Sequence, residues 1–395
     1  MTFTARLGDR SLFPTLEPRV YLNHGAISPA STPVIAAVNA YLQDYARRGV
    51  AAFPTWQAQR RNLKEKLARL IHARPEDLAF EPNTTRGITD VALCFPWRAN
   101  DRVVLFEGEF PANVTPWQRA AARFGLRLVF QPVSQFARDE ARALTLLEEE
   151  LKRGVRLVAV SAVQFQTGLK MPLLELARLC HAHGAELFVD GVQAIGAVPL
   201  DVTALEIDYL ACGSHKWLMG LEGAGFLYVR PGRAAALIPS VAGWTSHEDG
   251  LGFLSEGPGH LRYDRPVRPL ANLVEGGNLN SAGLAALDAS VELLLQLGPN
   301  SISEHVNRLL APFEAGLVAR GFLSLRSAKP SQRSCTLAVL PPGGRSVVTL
   351  QRLLSERGIS CSIPDGVLRF TPHWPNSEAE VPLVLEAIDA ALPSA

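Results

Sequence analysis

The sequence predicts an α/β protein: a large domain built on a mostly parallel seven-stranded sheet, with a smaller α+β lobe at the C-terminal side. Two observations carry this. Between residues 78 and 229, seven short apolar runs alternate with helical patterns, as parallel strands joined by crossover helices do. A chain of 395 residues also exceeds what one hydrophobic core ordinarily serves. The composition is 47% hydrophobic and 19% charged with a formal net charge of +1. That balance fits a globular chain and favours neither nucleic acid nor an anionic membrane as partner.

Taken in order, the start from Met1 to Arg10 has no apolar core after a basic stretch, and no run of eighteen apolar residues follows anywhere. The expectation is a cytoplasmic protein without a membrane span. After an opening rich in turn formers, Gln57 to Ala73 reads as an amphipathic helix whose buried stripe is Leu63, Leu67, Leu70 and Ile71. The seven strand candidates are Leu78 to Phe80, Arg102 to Phe106, Leu126 to Phe130, Val155 to Ser161, Glu186 to Val189, Tyr209 to Ala211 and Gly225 to Val229. Gly250 to Pro269, rich in Gly, Pro and Arg, reads as a long loop, and Gly283 to Leu297 as an apolar helix. The expected large domain spans 15–280, and the small one 281–395 together with 1–14. Five cysteines, Cys94, Cys180, Cys212, Cys335 and Cys361, are odd in number and show no C-x-x-C pairing. Neither a disulfide framework nor a metal site is expected from them.

Ligands of such sheets collect where strands end, so the residues after each run carry the functional reading. Lys216 follows the strand at Tyr209 among small and aromatic residues, in Gly213-Ser214-His215-Lys216-Trp217. Partial desolvation there lowers the pKa of the amine and favours the neutral nucleophile that forms an imine with an aldehyde cofactor. Upstream, Glu186 to Asp190 is a strand ending in a carboxylate. Pyridoxal 5′-phosphate (PLP) is an aldehyde that needs an acid at its pyridine nitrogen, because a protonated ring accepts electrons from a carbanion beside the imine. Lys216 and Asp190 are therefore the candidate catalytic pair.

Asn83-Thr84-Thr85 leads from a strand into an apolar helix, Ile88 to Phe95. Free backbone N–H groups and the positive end of the helix dipole suit a phosphate there, with the threonine hydroxyls as added donors. His215 offers a further donor beside the lysine. Phe110 lies in the loop row where a ring stacks on the cofactor, and Gln193, three residues past Asp190, is within reach of a ring hydroxyl.

These residues together resemble class V aminotransferases and their relatives, which include cysteine desulfurases, kynureninases and isopenicillin N epimerase-like proteins. The matching segments are Tyr21-Leu22-Asn23-His24-Gly25, Asn83-Thr84-Thr85, Val189-Asp190-Gly191-Val192-Gln193, Ser214-His215-Lys216-Trp217, Glu275-Gly276-Gly277-Asn278-Leu279-Asn280 and Leu368-Arg369-Phe370-Thr371-Pro372. The resemblance implies fold type I, PLP held on Lys216, Asp190 at the pyridine nitrogen and Gln193 at the ring hydroxyl. It places Thr84, Thr85, Ser214 and His215 at the phosphate with Asn83, and implies that Asn278 reaches the phosphate of a neighbouring subunit in a homodimer. It assigns the substrate carboxylate to Arg369, whose planar fork suits that role, with Asn23 and His24 nearby.

Four departures qualify the resemblance. Cysteine desulfurases carry a histidine over the cofactor ring, where this chain has Phe110. Their nucleophilic cysteine stands on a loop ahead of the arginine, whereas Gly358 to Gly366 passes almost directly to Arg369. Relatives often have histidine and asparagine where Ala162 and Phe165 stand, so Gln164 is expected to take over a ring or substrate contact. The serine often found three before the lysine is Gly213, so one phosphate hydroxyl is missing or has moved to Ser214.

The expected activity is that of a PLP-dependent enzyme acting at Cα of a small amino acid or related amine, as an aminotransferase or a β-eliminating C–S lyase. The alternatives are an epimerase or racemase, a desulfurase-like protein without the cysteine loop, and a non-catalytic binding protein of the same fold. A nucleotide-dependent oxidoreductase is disfavoured, because the glycine-rich Gly220 to Gly225 leads into a strand rather than a helix.

Overall fold

The computed structural model describes residues 3–395; residues 1 and 2 of the opening segment lie outside it. The strands are β1 (Val20–Tyr21), β2 (Leu78–Glu81), β3 (Arg102–Glu107), β4 (Arg127–Pro132), β5 (Val155–Ser161), β6 (Glu186–Asp190), β7 (Tyr209–Gly213), β8 (Gly225–Val229), β9 (Leu323–Ser324), β10 (Leu337–Leu340), β11 (Ile359–Ser360) and β12 (Leu368–Phe370). The seven expected strands form one sheet in the order β2-β8-β7-β6-β5-β3-β4. The fold is α/β with a mostly parallel seven-stranded sheet, as expected.

Only β8 runs against its neighbours, antiparallel to both β7 and β2. Two reversals restore the original sense, so β2 points the same way as the five parallel strands. The C-terminal ends of β2, β3, β5, β6 and β7 therefore open on one edge. The strands β6 to β8 are buried at nearly every position, which explains why they read as continuous apolar runs rather than alternating ones.

The main helices are α1 (Thr32–Arg48), α2 (Phe53–Ile71), α3 (Thr84–Cys94), α4 (Thr115–Phe124), α5 (Ser134–Arg138), α6 (Glu140–Leu151), α7 (Leu173–Ala182), α8 (Ser281–Leu297), α9 (Pro299–Ala319), α10 (Val347–Glu356) and α11 (Glu380–Ala391). The expected helix at Gln57 is α2, with Leu63, Leu67, Leu70 and Ile71 buried as its stripe predicts. Helix α1 is an addition to the sequence reading. It buries only Pro33 and Val34 fully while Ile35, Leu42 and Tyr45 face outward, so no single apolar stripe marks it.

A second, three-stranded sheet, β12-β10-β9, carries the C-terminal part. The short parallel pair β1 and β11 ties the N-terminal segment to it. Residues 250–269 hold no strand and only a short 3-10 turn, Gly252–Leu254. Among the described residues no helix is long and apolar enough to cross a membrane.

Candidate active site

Asp190 and Ala211 are register partners on the adjacent parallel strands β6 and β7. Asp190 thus ends its strand beside the one that leads to Lys216, and both side chains line one cleft with Asn83, Thr84, Thr85, Phe110, Gln193, His215 and Arg369. Eight of the positions expected from sequence, together with Asp190 itself, meet there. The cleft also takes in Ile27, Phe165, Glu222 and Pro364, which the sequence reading did not assign to the site.

Asp190 is buried, and burial is the main force raising its pKa to about 6; the N–H of Val192, 2.9 Å from Oδ1, and the charge of Lys216 oppose it. Burial likewise lowers the pKa of Lys216, partly offset by Asp190 and reinforced by Arg369. The lysine Nζ stands 5.3 Å from the centroid of Phe110, a cation–π distance. A desolvated amine and a buried acid facing one cleft are what an aldehyde cofactor with a basic ring nitrogen requires.

The N-terminus of α3 forms one end of the cleft. Asn83 caps the helix, its Oδ1 accepting from the N–H of Arg86 at 2.9 Å. The hydroxyl of Thr84 accepts from the N–H of Gly213 at 2.9 Å. A Cβ on Gly213 would stand 3.2 Å from that hydroxyl oxygen, and one on Gly87 would meet the Cβ of Ala211 at 2.9 Å. Glycine at both positions lets α3 approach β7 this closely. His215 borders the same end, its pKa lowered by burial and by Lys216 and raised in part by Glu222.

Several expected residues lie elsewhere. The hydroxyl of Ser214 donates to the carbonyl of Leu221 and is absent from the cleft wall, so the missing serine hydroxyl has not moved there. Gln164 is buried and organises its own loop: Oε1 accepts from the N–H groups of Gln166 and Thr167, and Nε2 donates to the carbonyl of Gly108 at 2.7 Å. His24 sits behind the lysine. Its Nδ1 pairs with the hydroxyl of Ser28 at 2.8 Å, and that hydroxyl donates to the carbonyl of Lys216 at 2.6 Å. Asn23 pairs by backbone with Thr371, its Oδ1 buried without a partner. Asn278 lines a separate groove with Arg60, Lys64, Trp244 and Arg268.

Gln193 reaches the cleft with both ends of its amide engaged: Nε2 donates to the carbonyl of Gly25 at 3.0 Å, and Trp217 Nε1 donates to its Oε1 at 2.8 Å. Arg369 is buried, and burial lowers its pKa to about 10. Its Nε donates to the hydroxyl of Ser362 at 3.1 Å and its Nη1 to the carbonyl of Phe165 at 2.5 Å. Among the described residues no carboxylate pairs with it, which leaves a buried guanidinium with spare donors facing the lysine.

Glu109 is a further residue that sequence reasoning passed over. Its carboxyl accepts from the N–H of Ser161 at 2.7 Å and from the hydroxyl of the same residue. Ser161 is the register partner of Asp190, so Glu109 fastens the loop bearing Phe110 to the strand beside the acid. Burial pushes its pKa up to about 7, with Asp190 adding to the shift and Ser161 opposing it. A carboxylate separated by one residue from a strand end gives no sequence signal of its own.

Fold and cleft together define a fold type I PLP-dependent enzyme. When bound, PLP supplies an electron sink for the carbanion formed at the substrate Cα. Comparison with known proteins agrees. The family model for aminotransferase class-V matches residues 20–366. A cysteine desulfurase of Escherichia coli (strain K12 / DH10B) is 32% identical over 317 residues, covering 76% of this chain and 74% of that protein. Among solved structures, an S-sulfonic acid form of an Escherichia coli cysteine desulfurase matches with TM-score 0.84 at 25% identity over 98% of both chains. A cystine C–S lyase holding its product, cysteine persulfide, matches with TM-score 0.85 at 24% identity over 95% of this chain and 98% of that one. The chain belongs to the class V aminotransferase family of PLP-dependent enzymes.

Proposed function

We propose that this enzyme is a β-eliminating C–S lyase acting on cysteine or a cysteine derivative, with its catalytic and binding residues drawn from the cleft around Lys216. The observation that carries the choice is the state of the thiols. All five cysteines are buried, and burial raises the pKa of each; Cys335 and Cys361 reach about 12. Cys361, the thiol nearest to Arg369 in sequence, lies just past β11 and is 3% exposed. Between it and Arg369 there is only the tight turn Pro364–Gly366. A desulfurase needs a reachable thiolate to receive sulfur from cysteine. Without one, the sulfur leaves as a free thiol.

In this reading Arg369 holds the substrate carboxylate, which gives its spare donors an anion and orients Cα toward Lys216. Lys216 removes the Cα proton and delivers one to the departing sulfur. Asp190 would hold the ring nitrogen of PLP and keep it protonated, which strengthens the electron sink that the cofactor supplies. The Cα–H, Cβ–S and Cα–N bonds break, one water is consumed, and pyruvate and ammonium leave with the protonated sulfur group, which is hydrogen sulfide from cysteine and cysteine persulfide from cystine.

The enzyme works as a homodimer in the cytoplasm. Supporting this, Asn278 lines a groove separate from the cleft of its own Lys216, and α1 leaves the apolar side chains of Ile35, Leu42 and Tyr45 exposed, as contact with a second copy would use. Five unpaired thiols suit a reducing compartment.

Product analysis tests the activity. With L-cysteine and L-cystine the enzyme is expected to form pyruvate and ammonium in equal amounts. Alanine as the main product would overturn the reading in favour of desulfuration, and a 2-oxo acid formed only with an added amino acceptor would favour transamination.

A further inference from the structure

Two of the positions at which the chain departs from its relatives meet in space. Phe110 follows β3 and Phe165 follows β5, yet their ring centroids are 5.3 Å apart at 78°, an edge-to-face pair. Phe110 lies 5.3 Å from the Nζ of Lys216. The carbonyl of Phe165 accepts from Arg369 at 2.5 Å. Both phenylalanines line the cleft that the amine and the guanidinium share.

The pair is held in place from behind. Gln164 donates to the carbonyl of Gly108 at 2.7 Å, and Ser161 donates to Glu109 at 2.7 Å, so the loops bearing the two phenylalanines are stapled to each other. Phe110 keeps 44% of its surface exposed. An amino acid with its carboxylate on Arg369 and its Cα near Lys216 runs its side chain along these rings. Neither ring offers a hydrogen bond, so a polar substituent there loses its water without compensation. An apolar one gains contact area, and an aryl one gains ring geometry as well.

Building on the lyase reading, we infer that Phe110 and Phe165 form the recognition surface for the β-substituent, and that the preferred substrates are cysteine S-conjugates with an aryl or alkyl group on sulfur. Binding can be measured apart from turnover with carboxylates that lack the amine. In isothermal titration of the holoenzyme, 3-phenylpropanoate is expected to bind at least about tenfold more tightly than propanoate. Phe165→Asn keeps the backbone carbonyl that Arg369 uses, so it should erase that preference through weaker binding of 3-phenylpropanoate. Phe110→Ala should reduce the preference independently.

Equal affinity for the two acids in the unmodified enzyme would overturn the aromatic surface, as would a preference untouched by both substitutions. Either result leaves the pyruvate assay free to stand. Conversely, a preserved preference with alanine as the product of cysteine would sink the elimination reading alone.

Discussion

Glu109, beside the strand that carries the partner of Asp190, has a pH behaviour that separates folded from unfolded chain. Its carboxyl is pushed from 4.5 up to about 7, chiefly by burial. Between those values the folded protein holds the proton and the unfolded chain has released it, so stability falls as pH rises through this window. The loss amounts to as much as about 3 kcal/mol at 1.36 kcal/mol per pKa unit. Glu109→Gln cannot ionise, and its amide still offers an oxygen to the N–H of Ser161. In urea unfolding of the apoprotein, the variant should therefore gain stability relative to the parent between about pH 5 and about pH 8. Parallel pH curves for the two proteins would show that the carboxyl is solvated rather than buried.

At the scale of elements, the start of α3 is expected to couple helix stability to cofactor affinity. Asn83 caps the helix through Arg86 and lines the cleft. Asn83→Ala removes the cap and should cost about 1 kcal/mol of apoprotein stability. Asn83→Asp restores a good cap but sets a negative charge beside the phosphate position. It is expected to match the parent in unfolding while binding PLP at least about tenfold more weakly. Unchanged PLP affinity in Asn83→Asp would place the phosphate elsewhere.

The elements also decide what could be read from sequence. Strands β5 and β8 begin and end where their apolar runs do, because both are buried over almost their whole length. Lys216, Asp190, Phe110 and Thr84 were legible as cleft residues because each ends or follows a strand that points the same way. Glu222 was not: it precedes β8, the one antiparallel strand, so the site edge meets β8 at its beginning. Phe165 lies beyond the end of β5, in a turn whose course is set by Gln164. Ser214, Gln164 and His24 carry the right chemistry in sequence, but each spends its polar atoms on protein partners that only the packed chain reveals.

For the whole molecule, the groove containing Asn278 carries the expectation of shared sites. If Asn278 serves the lysine of a second copy, Lys216→Ala and Asn278→Asp damage opposite halves of each composite site. Each variant alone should be inactive. Mixing them under conditions that exchange subunits should restore up to about a quarter of the activity, since half the dimers then hold one intact site of two. No recovery, with mixed dimers present by native mass spectrometry, would contradict shared sites.

The chemistry depends most on one lysine and one acid lying at the ends of neighbouring strands. Reduction of the yellow holoenzyme with borohydride, followed by peptide mapping, tests it directly. The prediction is that the colour bleaches and the mass of the reduced cofactor stays on the peptide containing Lys216. Finding that mass on another lysine, or finding a protein that remains colourless after incubation with PLP, would contradict it.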